Sequence, residues 1–198
     1  MKTMKIKILF FEGFEALDVF GPVEVFSKAE GIEMSFCSFE GGPIRSAQGF
    51  LIMTEILNEV ASSDVLFIPG GVGTRTLVED VAFITKLRTF IENSSLCLSV
   101  CTGSALLAKA GVLTGKKATT NKKAYAWATG QDDKVLWQNK ARFVVDGKFY
   151  TSSGVSAGTD MALTFIADQF GIEKAHEIAN RIEYIWSSDP ELDPFAVE

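Results

Sequence analysis

Val65-Leu66-Phe67-Ile68-Pro69-Gly70-Gly71 is the stretch on which the fold turns. Four apolar residues in a row, without polar alternation, fit a strand covered on both faces, and the centre of a parallel sheet provides that setting. Pro69-Gly70-Gly71 marks its exit, because proline interrupts a ladder and glycines allow a tight turn. Leu96–Val100 repeats the pattern and runs directly into Cys101-Thr102-Gly103-Ser104, then into a helical Ala105–Ala110 stopped by Gly111. A helix over Asp80–Asn93 joins the two strands. Toward the N-terminus, Lys5–Phe11 alternates and then turns apolar, as a buried first strand does, with its exit at Glu12-Gly13-Phe14. Glu15–Glu30 carries Leu17, Phe20 and Val23 at helical spacing, with a kink expected at Gly21-Pro22 and a stop at Gly31. Met34–Phe39 reads as a second strand and Gly41–Thr54 as a short hairpin. Toward the C-terminus, Phe143–Thr151 is a hairpin with Asp146-Gly147 at its turn, and Ser156–Phe170 and Ile172–Ile185 read as two closing helices. Alternating strands and helices imply an α/β, doubly wound, mostly parallel sheet with helices on both faces. Ligands of such sheets bind beyond the carboxyl ends of the strands.

The chain has 198 residues, a length that suits one domain spanning 1–198 with a sizeable core. Pro is scarce, Gly is scattered, and no stretch reads as a linker or a repeat. A formal net charge of −6, with no basic block, argues against a nucleic-acid partner and against an anionic membrane surface. Charges interrupt every apolar run before the roughly 18 residues a membrane span needs. The opening Met1-Lys2-Thr3-Met4-Lys5 lacks the apolar stretch of a signal peptide, so a soluble, cytoplasmic protein is expected. Three cysteines, an odd number, do not suggest a disulfide framework. No metal-ligand cluster is visible, so no metal or other cofactor is expected.

The chemistry converges on Cys101. It follows a buried strand and opens a helix, and the small Thr102-Gly103-Ser104 lets the backbone turn sharply and lift a nucleophile above the sheet. A helix N-terminus favours negative charge, so the thiol is expected below its reference pKa of ~8.5. The competing reading is a small cysteine that fills space. Cys97 lies four residues earlier on the same strand, about 13 Å away, too far to bond to Cys101; it and Cys37 read as core residues. Gly70 and Gly71 end a separate strand, where their N–H groups could approach a ligand as an oxyanion hole requires, though the pair also suits a plain turn. His176, the only histidine, lies in the last helix, far along the chain from these loops, and reads as a surface or interface residue. The acid–base partner is therefore expected to be a carboxylate. Asp18, among the apolar Leu17, Val19 and Phe20, is the first candidate and Glu24 the rival; an ordinary helix-start aspartate is the competing reading of Asp18.

These residues carry a resemblance that covers essentially the whole chain. Leu17–Phe26, Phe67–Thr74, Cys101–Ser104, Gly111–Thr120 and the segment from Val145 to Gly158 stand in the order and spacing of the DJ-1/PfpI (ThiJ) superfamily. More narrowly, the chain resembles its isonitrile-hydratase-like branch, also found as the amidase-like domain of some transcriptional regulators. The resemblance implies a flavodoxin-like, class I glutamine amidotransferase-like fold, a homodimer and a small-molecule substrate. Residue by residue, it places the nucleophile on Cys101, the helix acid on Asp18, and oxyanion or substrate contacts on Gly70, Gly71 and Thr102. DJ-1-type relatives have Glu at the helix-acid position, and many members have a histidine directly after the cysteine or after the Ala-Thr-Thr segment. Here those positions are Asp18, Thr102 and Asn121.

That departure disfavours a peptidase and fits a cysteine–carboxylate mechanism, in which water adds to a small carbon electrophile such as an isonitrile. A glyoxalase- or deglycase-like enzyme and a non-enzymatic oxidative-stress or ligand sensor of the DJ-1 type stay open as alternatives. A glutamine amidotransferase is disfavoured because its Cys–His–Glu set cannot be completed.

Overall fold

The structure, a computed structural model, describes residues 3–196. The chain runs through β1 (Met4–Leu9), α1 (Ala16–Ser27), β2 (Ile32–Ser38), β3 (Gly42–Arg45), β4 (Leu51–Ile56) and β5 (Val65–Ile68). Then come α2 (Thr74–Leu77), α3 (Val81–Asn93), β6 (Leu96–Val100), α4 (Gly103–Lys109), β7 (Lys117–Ala118) and α5 (Tyr125–Thr129). β8 (Leu136–Trp137), β9 (Phe143–Asp146), β10 (Phe149–Ser152), α6 (Ala157–Phe170) and α7 (Ile172–Arg181) complete it.

Eight strands form one sheet in the order β3-β4-β2-β1-β5-β6-β10-β9. Its five central strands, β2-β1-β5-β6-β10, are all parallel. Counted among themselves they run 2-1-3-4-5, the flavodoxin-like order. From β1 the chain goes first to one side, to β2, and later to the other, to β5. The carboxyl ends of β1 and β5 therefore flank the point where the winding reverses, which is where such sheets bind ligands.

Every residue of β5 is buried. Successive side chains on a strand point to opposite faces, so both faces of the sheet are covered here. α1 packs on α6 and α6 on α7, while α4 lies against β6 and touches α2, α3 and α5. No helix among the described residues is long and apolar enough to cross a membrane.

Several element boundaries differ from the sequence reading, each for a local reason. The second hairpin turns on Gly147-Lys148, one residue later than Asp146-Gly147, because Asp146 still pairs with Phe149. Only Gly147 takes a positive φ there, of 62°. α7 ends at Arg181 rather than continuing to Ile185, because Glu183 adopts a left-handed φ of 52°. The Tyr184 N–H then reaches back to the Ala179 carbonyl (2.9 Å), the bond that closes a Schellman-type helix end. Pro22 sits inside α1, where it has no N–H to give the Asp18 carbonyl.

Candidate active site

Cys101 stands at the end of β6 with a φ of 58°, in the left-handed region that costs a non-glycine residue about 1–2 kcal/mol. The surroundings hold it there. Its N–H lies between the carbonyls of Ser152 (3.2 Å) and Ser153 (3.1 Å). Its own carbonyl accepts from Ser104 Oγ (3.0 Å) and Thr120 Oγ1 (3.1 Å). The next turn needs glycine. A Cβ on Gly103 would lie 2.6 Å from the Ile68 carbonyl oxygen and 2.7 Å from that of Pro69. The end of β5 and the start of α4 can therefore approach only with Gly103 between them.

Asp18 reaches the same spot from the first turn of α1 and is fully buried. Its Oδ2 accepts the Gly70 N–H at 2.8 Å, while Oδ1 has no hydrogen-bond partner. Burial pushes the carboxyl up to about 8, helped by the Glu15 charge and opposed by the Gly70 N–H and the neighbouring Cys101 thiol. At neutral pH the acid therefore keeps its proton. Because Oδ2 is occupied as an acceptor, that proton belongs on the unpartnered Oδ1. Gly70 also has no room for a side chain, since a Cβ would meet Thr102 N at 2.6 Å and Asp18 Oδ2 at 2.9 Å.

The thiol pKa lies opposite to the sequence-based expectation. Burial pushes Cys101 up to about 12 and the Asp18 charge adds to the rise. The Thr102 N–H, the Val155 N–H and the Asn121 side chain oppose it as donors to sulfur. α4 has only seven residues, and its N-terminus does not outweigh removal of the thiolate from water. The resting pair is a neutral thiol beside a neutral acid, and it titrates as a unit.

The remaining expected site residues are also here, in altered parts. The Gly70 N–H is taken by Asp18. The Gly71 N–H goes to Thr102 Oγ1 (3.0 Å), so both groups position side chains rather than facing open space. Thr74 Oγ1 donates to the Gly71 carbonyl at 2.7 Å, and the Thr102 hydroxyl lies 3.0 Å from Thr74 Oγ1 and 3.3 Å from that carbonyl. Glu24 points away and pairs with Lys28 at 2.8 Å. His176, on α7, meets Trp186 edge to face, with ring centroids 5.3 Å apart. Cys37 and Cys97 are buried, and all three cysteines are free. Among the described residues no group of three or more His, Cys, Asp or Glu side chains gathers to hold a metal ion.

Sequence reasoning did not single out Asn121 and Val155 as contacts of the sulfur. Asn121 was legible only as the place where relatives carry histidine. Val155 had a signal available in its block of small residues, but its left-handed φ of 44° shows only in three dimensions.

The chain is similar in sequence and fold to known proteins. The model of the DJ-1/PfpI family matches residues 4–168. An isonitrile hydratase from Pseudomonas putida is 31% identical over 203 residues, covering 98% of this chain and 87% of its own. A deglycase from Thermococcus kodakarensis is 30% identical over 156 residues, covering 75% of this chain and 89% of its own. Among solved structures, a THiJ/PfpI family protein from Pseudomonas syringae superposes with a TM-score of 0.81 at 27% identity, covering 98% of this chain and 79% of that one.

Proposed function

Because this chain belongs to the DJ-1/PfpI family, we propose that it is a cysteine-dependent hydro-lyase that adds water to a small carbon electrophile, an isonitrile, releasing an N-substituted formamide. The observation that carries this reading is the buried pair of Cys101 and Asp18, in which the acid holds its proton up to about pH 8. A protonated carboxyl beside a nucleophilic sulfur is what an isonitrile requires, because its terminal carbon must gain both a nucleophile and a proton.

The pair acts when it has lost one of its two protons. That proton leaves Asp18, the stronger acid of the two. The carboxylate then takes the thiol proton as the substrate arrives, so the sulfur attacks the terminal carbon as thiolate while Asp18 holds the remaining proton. The S–C bond forms, the carbon takes the proton from Asp18, and a thioimidate results. Water then adds to that carbon; Asp18, now a carboxylate, accepts a proton from the water and passes it to nitrogen. The C–S bond breaks, the sulfur leaves as thiolate, and the hydroxyl gives its proton to the Asp18 carboxylate as it becomes the formyl carbonyl, which restores the starting pair. The Thr102 N–H, the Val155 N–H and Asn121 stabilise the departing thiolate, and the Thr102 hydroxyl contacts the substrate. Gly70 and Gly71 hold Asp18 and Thr102 in register.

Residues 1–198 act as one domain and pair as a homodimer. The three free cysteines suit a reducing, cytoplasmic setting. The deglycase relative supports a rival reading, in which the thiolate adds to an aldehyde. Parallel assays with an alkyl isonitrile and with methylglyoxal separate the two. Formamide from the first without lactate from the second is expected, and lactate alone would replace this reading with the rival.

A further inference from the structure

Beyond Asn121 and Val155 lies a cavity of about 570 Å³ whose far wall is formed by Phe195 and Ala196. The two inner residues are those that donate to the Cys101 sulfur, so the cavity adjoins the reacting atom. Its lining is mostly apolar. Two lysines border it: the Lys122 ammonium is turned to Thr119 Oγ1 and the Ala141 carbonyl, each at 2.7 Å, and Lys123 is exposed.

The outer wall is held with unusual firmness for chain without regular structure. After α7, the Ser187 N–H donates to the buried Asp160 Oδ1 (2.9 Å), and the Pro190 carbonyl accepts the Arg142 N–H (2.8 Å). Arg142 pairs with Asp160 through Nη2 (2.6 Å) and faces Asp193 through Nη1 (3.8 Å). All three of these side chains are buried, a costly arrangement unless their partners are fixed. Asp193 in turn takes the Phe195 N–H on Oδ1 at 3.0 Å. A buried ionic cluster thus fixes the backbone that presents one phenyl ring, and that ring remains 69% exposed at the cavity.

We infer that Phe195 and Val155 form a subsite for the apolar substituent of the substrate, so that the enzyme favours molecules with a bulky apolar substituent whose reacting carbon meets Cys101. This inference rests on the proposed reaction only for the identity of the reacting group.

The test uses Phe195→Ala, which removes an exposed side chain and leaves the ionic anchor intact. KM for phenyl isonitrile is expected to rise about tenfold more than KM for methyl isonitrile, the scale on which an apolar pocket discriminates. A second arm does not depend on turnover. The ratio of Cys101 labelling rates by N-phenylmaleimide and N-methylmaleimide, read at the Cys101 peptide, should fall several-fold in the variant. A fallen ratio without isonitrile turnover in either protein would keep the subsite and discard the reaction. An unchanged ratio, or a variant whose only change is a weaker dimer by sedimentation, would overturn the subsite.

Discussion

A carboxyl with no exposed surface and one oxygen lacking a donor is costly to charge, and Asp18 is such a group. Its folded pKa of about 8 lies above the unfolded value near 3.8, so the native state binds the extra proton between those limits. Stability therefore falls as pH rises from about 4 to about 8, and the penalty is fully present above that window. Asp18→Asn removes the titration but can still accept the Gly70 N–H. It should lower kcat by about 10²–10⁴-fold. The same variant should melt at least ~2–4 °C higher at pH 8, and the gain should shrink toward pH 5. In the parent, kcat/KM should climb from pH 6 to a plateau above about 8, as the pair loses its first proton. A flat profile, or a variant that is both active and less stable, would make Asp18 structural. At this scale the sequence marks the two reacting side chains, since Cys101 opens a small-residue turn and Asp18 interrupts an apolar helix face. It does not reveal the thiol pKa, because burial outweighs three donors and burial is a property of the assembled fold. Asn121 and Val155 escape for a related reason: loops distant along the chain deliver them to the sulfur.

Among elements, the decisive contact is where β5 ends against the start of α4. Gly103 faces two backbone carbonyls there, and backbone cannot rotate aside as a side chain can. Gly103→Ala should cost about 1–3 kcal/mol. It should also reduce turnover, because any shift that admits the methyl moves Gly70 and with it the Asp18 contact. Differential scanning calorimetry with a kcat measurement checks both; a variant normal in both would mean the approach is looser than the distances indicate. β5 and β6 are legible in the sequence because continuous apolar runs have few other uses. α2, α5, β7 and β8 are too short to carry a period and go unread. The end of α7 is hidden because its left-handed stop is Glu183, not a glycine.

For the whole molecule, several large apolar side chains of α1 and β4 remain exposed. Phe20 of α1 meets Phe50, which directly precedes β4, with the rings 5.9 Å apart, and Leu17 of α1 and Leu51 and Met53 of β4 are exposed. A patch of this kind marks an association surface, and its helix is the one that carries Asp18. Sedimentation at micromolar concentration should give twice the 21.6 kDa of one chain, and Met53→Glu should shift it toward the single-chain mass. A parent that sediments as one chain would contradict the homodimer. The central claim, covalent addition of water by Cys101, is tested most directly by intact-mass analysis after acid quench of the enzyme with an alkyl isonitrile. The account predicts an adduct of the mass of one isonitrile on the Cys101 peptide of the parent, and formamide in the supernatant. Cys101→Ser should show no adduct and no formamide. Formamide made by Cys101→Ser at the parent rate, with no adduct in either protein, would contradict it.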